Sequence, residues 1–192
     1  MGGYFDYYYL SNYYYIILVL PMIVLSMIAS ARVNSSFKKY SKVLSSRRLT
    51  GAQAAFEILR YYGITNVKIE RVNGNLTDHF DPRTNVIRLS DNVYDSISVA
   101  AIGVACHEAG HAAQYAQNYA PIKIRNTVLP LANLGSRLGV PLAILGFFLG
   151  FSPLAYAGVI FFSFAVVFQL ITLPVEFNAS KRAIQVIGET DI

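Results

Sequence analysis

The run LGVPLAILGFFLGFSPLAYAGVIFFSFAVVFQLITLPV occupies positions 138–175, which are 38 residues without a single charge. As one straight helix it would measure about 57 Å, close to twice the ~30 Å hydrocarbon core of a bilayer. Gly150 and Pro153 interrupt it near its middle. It therefore reads as a transmembrane helical hairpin, with arms near 128–149 and 154–173. The first arm carries Arg137 between Gly135 and Gly139, and a charge at such a place snorkels or faces a polar cavity.

A second apolar stretch lies near the amino terminus, where no charge separates Asp6 from Arg32. A crossing needs about 20 apolar residues, and positions 13–31 supply them. Seven tyrosines crowd into positions 4–15, where an aromatic belt at the water–lipid interface would sit. Ala29-Ser30-Ala31 resembles a signal-peptide cleavage site, but the flank before it holds Asp6 and no Lys or Arg. That is the wrong charge for a signal peptide, so an uncleaved anchor is expected.

Composition agrees with a membrane protein. Apolar residues make up 54% of the 192, and charged residues 14%, about half of the ~25% usual in soluble domains. So little charge excludes a disordered regulator and cannot cover the surface of a soluble globule of this length. Cys106 is the single cysteine, which excludes a disulfide framework and a multi-cysteine metal site. The formal charge of +5 is concentrated: Arg32, Lys38, Lys39, Lys42, Arg47 and Arg48 follow the first span with no acid before Glu57. By the positive-inside bias the amino terminus lies outside and 32–125 lies in the cytoplasm. A hairpin returns the chain to the side it left, where Lys181 and Arg182 follow. The basic run lacks the aromatic interleaving of a nucleic-acid surface, so a flank against anionic lipid is expected and no nucleic-acid partner.

Between the spans the chain turns polar. Thr50-Gly51-Ala52-Gln53 is a capping-box pattern, followed by Ala55, Ile58, Leu59 and Tyr62 at helical spacing, with Gly63 placed to end the helix. Positions 67–72 alternate as a strand and are closed by the turn Asn73-Gly74-Asn75. After a turn at 81–85, positions 86–89 form a second strand, which could be an edge that pairs with extended substrate. Asp91 or Asp95 can cap the next helix, which runs to about Asn118 before Pro121 stops it. The expected fold is α+β and mostly helical: an N-terminal anchor at 1–31, a small zincin-like cytoplasmic unit at 32–125 with two or three short strands, a transmembrane hairpin at 126–175, and a C-terminal helix at 176–192.

That last helix of the polar unit contains His107-Glu108-Ala109-Gly110-His111, an H-E-x-x-H sequence. Histidines at i and i+4 share one helical face with Cβ atoms about 5–6 Å apart, a spacing suited to one Zn²⁺. The glutamate at i+1 can reach a zinc-bound water as general base. Catalytic zinc takes three protein ligands and keeps a fourth position open. The remaining candidates are His79, Asp78, Asp81, Glu176 and Glu189. Glu176 stands out because it ends the uncharged run: a carboxylate against a membrane span is costly unless paired or ligating a metal. Small residues recur in both regions, with Gly103, Ala109, Gly110 and Ala112 on one helix and Ala179 and Ala183 on the other, so the two can approach closely. Cys106 points about 100° away from His107 and reads as packing.

At this point the sequence resembles a known family. The blocks Leu49-Thr50-Gly51, Leu76-Thr77-Asp78-His79-Phe80-Asp81-Pro82-Arg83, His107-Glu108-Ala109-Gly110-His111 and Leu173-Pro174-Val175-Glu176-Phe177-Asn178-Ala179-Ser180 look like those of the YugP-type neutral zinc metallopeptidases, bacterial multi-pass membrane proteins. The likeness spans about 31–187 with the blocks in the family's order. It implies zinc ligands at His107, His111 and Glu176, and Glu108 as catalytic base. Glu176-x-x-Ala179 is also similar to the E-x-x-A-D segment of HtpX-type membrane proteases, with Ser180 where their aspartate would stand. Asn178, Ser180 and His79 are the candidates for holding the ligands in place, although a histidine in the 77–81 turn bonded to local carboxylates is the plainer reading of His79. Members of the family continue into another apolar segment, whereas this chain stops 16 residues after Glu176, an ending that reads as truncated.

The expected function is a zinc-dependent endopeptidase, gluzincin-like, with one catalytic Zn²⁺. It would sit in the plasma (inner) membrane as a multi-pass protein, with its site on the cytoplasmic side. Its expected partners are the lipid bilayer and peptide or membrane-protein substrates. The alternative is a catalytically silent zinc-binding membrane scaffold, against which the intact Glu108 argues.

Overall fold

The structure, a computed structural model, describes residues 2–75 and 77–192, and the side chains of 2–12, 14, 15 and 18 are outside the description. The expected tyrosine belt therefore lies, apart from Tyr13, outside the described residues, as does Leu76. The element order is α1 (Gly2–Tyr40), α2 (Gly51–Tyr61), β1 (Lys68–Val72), β2 (His79–Asp81), β3 (Val86–Ser90), α3 (Asp91–Tyr94), α4 (Val99–Ala116), α5 (Ala120–Phe148) and α6 (Ser152–Thr190). The fold is mostly helical with one small sheet.

The local signals that form the polar unit are visible in its hydrogen bonds. Thr50 Oγ1 accepts from the Gln53 N–H at 3.2 Å and Gln53 Oε1 accepts from the Thr50 N–H at 2.9 Å, closing the capping box that starts α2. Gly63, at φ +66°, turns the chain out of the helix, a conformation glycine adopts without steric cost. The sheet has the order β1-β3-β2, with β1 parallel and β2 antiparallel to β3. This corrects the reading of 86–89 as an edge. Both sides of β3 are hydrogen-bonded to neighbours, and Val86, Ile87, Leu89 and Ser90 are buried. The edges are β1 and β2, and the sequence presents the three residues of β2 as part of a turn.

The cap of α4 is also corrected. Asp91 opens the single turn of α3 and Asp95 closes it. Ser98 starts α4 instead, its Oγ accepting from the Ala101 N–H at 3.3 Å. Backbone bonds from Ser45 N–H to Ile97 O at 3.0 Å and from Val99 N–H to Val43 O at 2.9 Å fasten the chain after α1 to this start. From there α4 runs through the core. Ala101, Ile102, Ala105, Cys106, Ala109 and Ala112 form a buried cluster with Ala54, Ala55, Ile58 and Leu59 of α2, Ile87 and Leu89 of β3, and Ala183 and Val186 of α6. Cys106 is a packing residue, as read, and burial pushes its thiol up to about 12.

Pro121 does not so much stop α4 as open α5, where it sits in the first turn; a proline there loses no intrahelical bond. Helix α5 turns at Leu149–Phe151, with Gly150 at φ +64°, into α6. Glycines bring the arms together: a Cβ on Gly139 would meet Phe162 N at 2.7 Å, and one on Gly158 would meet Gly139 O at 2.6 Å. Arg137 is exposed. Helix α6 continues unbroken through Pro174 to Thr190, so the boundary expected at 175/176 falls inside one helix. Among the described residues three helices are long and apolar enough to cross a membrane: Val19–Tyr40, Ala120–Phe148 and Ser152–Thr190. At 1.5 Å per residue α6 measures about 58 Å, so its far end extends beyond a ~30 Å core and packs Ala183 and Val186 into the polar unit.

Candidate metal centre

The four-residue spacing on α4 stacks the His107 and His111 rings with centroids 4.7 Å apart and planes at 82°. Helix α6 lies against the same face, and Gly110 makes the approach possible: a Cβ there would meet Ala179 O at 2.6 Å. Gly103, grouped with it in the sequence reading, has open space around it and lines the site instead. The close crossing delivers Glu176, whose Oε2 is 3.1 Å from His107 Nε2 and 3.3 Å from His111 Nε2. One donor atom from each of the three residues lies within 4.8 Å of the others.

This donor set fits zinc. Ligand atoms arranged tetrahedrally at 2.0–2.1 Å from Zn²⁺ stand about 3.3 Å from one another, and the two His–Glu separations are close to that value. The other candidates are occupied elsewhere. Asp78 Oδ1 accepts from the Ser90 N–H at 2.7 Å and from Ser90 Oγ. Asp81 accepts from the Arg83 N–H at 2.9 Å, then from Thr84 and Arg88, and these bonds hold its carboxyl down at about 2. Glu189 bonds Tyr61 and Gln185. His79 is exposed on β2, with Nδ1 2.8 Å from Thr77 O; the partner is a backbone carbonyl and not the carboxylate expected.

A family model described as "Putative neutral zinc metallopeptidase" matches residues 15–192. The chain belongs to that family. Among curated proteins, "Putative membrane protease YugP" of Bacillus subtilis (strain 168) is 47% identical to it over 173 residues, which is 90% of this chain and 77% of the relative. No solved structure matches the chain.

In this family member the remaining histidine nitrogens are held by neutral groups. Ser180 Oγ lies 3.0 Å from His107 Nδ1, in the position where the E-x-x-A-D pattern has its aspartate. His111 Nδ1 lies 3.1 Å from Gln114 Oε1. The Gln114 amide nitrogen donates to Val175 O at 2.8 Å and to Asn178 Oδ1 at 2.9 Å. Its oxygen is therefore the acceptor, His111 carries its proton on Nδ1, and the Nε2 lone pair faces Glu176. Asn178 thus acts through Gln114 and does not touch a histidine; it is fixed in turn by Arg182 Nε at 2.7 Å.

Sequence reasoning missed Gln114, though a signal existed: it stands three residues past His111 on the same helical face, and a fully buried glutamine (0% exposed) needs partners for both ends of its amide. Gln114→Leu keeps the bulk and removes all three bonds. We expect zinc affinity to fall about 10- to 100-fold, the usual cost of losing such a support, read by competition with a chromogenic chelator. Unchanged affinity would remove Gln114 from the site.

Glu108 completes the arrangement. Its Oε2 accepts from the Phe80 N–H at 3.0 Å, a bond that ties the HExxH helix to strand β2. Burial pushes the Glu108 pKa up, and the charges of His111 and His107 work against that rise. His111 is raised as well: burial disfavours its charged form, but a ring protonated on Nε2 as well as Nδ1 bonds Glu176, and that bond and the charge of Glu108 outweigh the burial. Glu108, His107 and Glu176 line a groove of about 720 Å³, closed on one side by Gly103 and Val104 and on another by Val33 of α1.

Proposed function

We propose that the chain is a membrane-bound, zinc-dependent endopeptidase in which His107, His111 and Glu176 hold one zinc ion and Glu108 is the general base. The observation that supports this reading best is the convergence of two imidazole Nε2 atoms on one oxygen of Glu176, at 3.1 and 3.3 Å, with Glu108 on the same groove. Zinc bound there supplies Lewis acidity, which makes a water available as nucleophile near neutral pH and draws charge from a carbonyl oxygen. The chain's own residues do the rest. Glu108 takes the proton of the attacking water and returns it to the departing amine. The Phe80 N–H fixes which carboxylate oxygen is free to do so, since Oε2 is already engaged. Ser180 and Gln114 keep both imidazoles turned with Nε2 inward.

The substrates we infer are proteins in or near the membrane. Along α6, Glu176 stands about 36 Å from the hairpin turn, and along α5 Arg125 stands about 35 Å from it. Both lie just past a ~30 Å hydrocarbon core, so the groove opens at the membrane surface. The basic flank Arg32, Lys38, Lys39 and Lys42 supports the cytoplasmic face of the plasma membrane as that surface.

The test is cleavage of casein, an unbiased substrate, by the full chain reconstituted in lipid vesicles. Activity is expected to vanish on chelation with 1,10-phenanthroline and to return with stoichiometric zinc. Cleavage indifferent to the chelator, or none from a zinc-loaded preparation, would overturn the reading.

A further inference from the structure

A second cavity, of about 630 Å³, adjoins the groove on the far side of Phe80, a size within the range of ligand sites. Strand β2 and the following turn form one wall, Tyr115 the floor, and the start of α5 the other wall. Its charges are unbalanced. Asp81 is the acid of the lining, and it is spent on the Arg83 N–H, Thr84 and the Arg88 guanidinium at 3.2 Å. The guanidinium groups of Arg83 and Arg125, one on each wall, have no acidic partner among the described residues. Arg125 Nε is moreover buried without any hydrogen-bond partner, and a buried donor left unpaired costs about 1–3 kcal/mol. An anion between the two walls would satisfy it.

We propose that this cavity is a substrate subsite that takes a peptide carboxylate, with Arg125 and Arg83 as specificity-determining residues. The proposal rests on the metallopeptidase reading and names its substrate class. Peptide is favoured because a residue of the cavity, Phe80, is hydrogen-bonded at 3.0 Å to Glu108 of the groove. Phe80, whose N–H reaches Glu108, lines the cavity, and Tyr115 continues the helical face of His111 one turn on. From Glu108 to Tyr115 is about 10 Å along α4, the length of about three residues of extended chain. A carboxylate two to three residues from the scissile bond therefore enters the cavity while that bond lies at Glu108. Two sources share this chemistry: an Asp or Glu side chain, and a free carboxyl terminus.

The test uses quenched-fluorescent peptide sets in which Glu replaces Gln at each position flanking the cleaved bond, each with a free and an amidated carboxyl terminus. For the full chain in detergent, the Glu/Gln ratio of kcat/KM is expected to reach roughly 10 to 100 at a position two or three residues from the bond. In Arg125→Gln and Arg83→Gln, with zinc content verified as a check of folding, the ratio should fall to about one. A preference for free over amidated termini, with Glu and Gln cleaved equally, would identify the terminal carboxylate as the ligand. Equal rates for Glu and Gln peptides together with equal rates for free and amidated termini, or a preference that survives both substitutions, would overturn the proposal. So would variants that change only the response to phosphatidylglycerol vesicles, which would make the cavity a lipid-headgroup site. A binding arm separates this from failure of the enzymatic reading. Glu108→Gln protein should bind the fluorescent Glu peptides about tenfold more tightly than the Gln peptides, whether or not wild type turns either over, and Arg125→Gln on that background should abolish the difference. No difference between Glu and Gln peptides, nor between free and amidated termini, overturns the subsite by itself.

Discussion

Glu108→Gln is expected to lower kcat/KM for protein cleavage by at least about a thousandfold while zinc stays bound. The side chain is nearly isosteric, and its amide oxygen can still accept from the Phe80 N–H that Glu108 Oε2 accepts from now, at 3.0 Å. Packing and the link between α4 and β2 therefore survive. What disappears is the ability to accept a proton from the attacking water, a contribution of about 10²–10⁴ in rate, enlarged where the same group must also return the proton. Because Glu108 is not among the three converging donors, zinc content should match wild type. Turnover within tenfold of wild type would show that another group is the base.

Glu176→Ala has the opposite signature. It removes the one carboxylate on which both Nε2 atoms converge, at 3.1 and 3.3 Å, and leaves two imidazoles with a 4.7 Å centroid separation and no anionic partner between them. Losing a group that merely supports a ligand costs 10- to 100-fold in metal affinity, so losing a ligand should exceed about 100-fold. Folding should be retained, because the contact that seats α6 on α4 is made by Gly110 and Ala179, not by the carboxylate. An affinity within tenfold of wild type would place the third ligand elsewhere. Together the two substitutions separate the residue that holds the metal from the one that moves the proton.

What the chain discloses by itself follows the range of the interactions involved. The HExxH helix, the Thr50 capping box and strands β1 and β3 rest on contacts within a few residues, so spacing alone reveals them. Glu176 was legible for a different reason: an ionised group at the end of a long apolar helix demands a partner, and the helix must return to the side where the histidines lie. Strand β2 was not legible, because three residues carry no periodicity and its pairing with β3 is made in three dimensions. The position of β3 at the centre of the sheet is likewise set by what packs on either side of it. Asp91 and Asp95 are good caps in isolation, but the short α3 intervenes and hands the role to Ser98. Pro174 suggests a break, yet α6 passes through it, since the packing of α6 on α5 before it and on α4 after it outweighs the single bond lost. Gln114 escaped notice because its task exists only once Val175 and Asn178 are brought beside His111.

His107, His111 and Glu176 are proposed to hold one zinc. Metal analysis of the detergent-purified full chain, wild type beside His111→Ala, tests it most directly. One zinc per wild-type chain is expected, and its loss from the variant, with both proteins equally helical by circular dichroism. A folded wild type without zinc, or a His111→Ala protein that keeps a full equivalent, would contradict it.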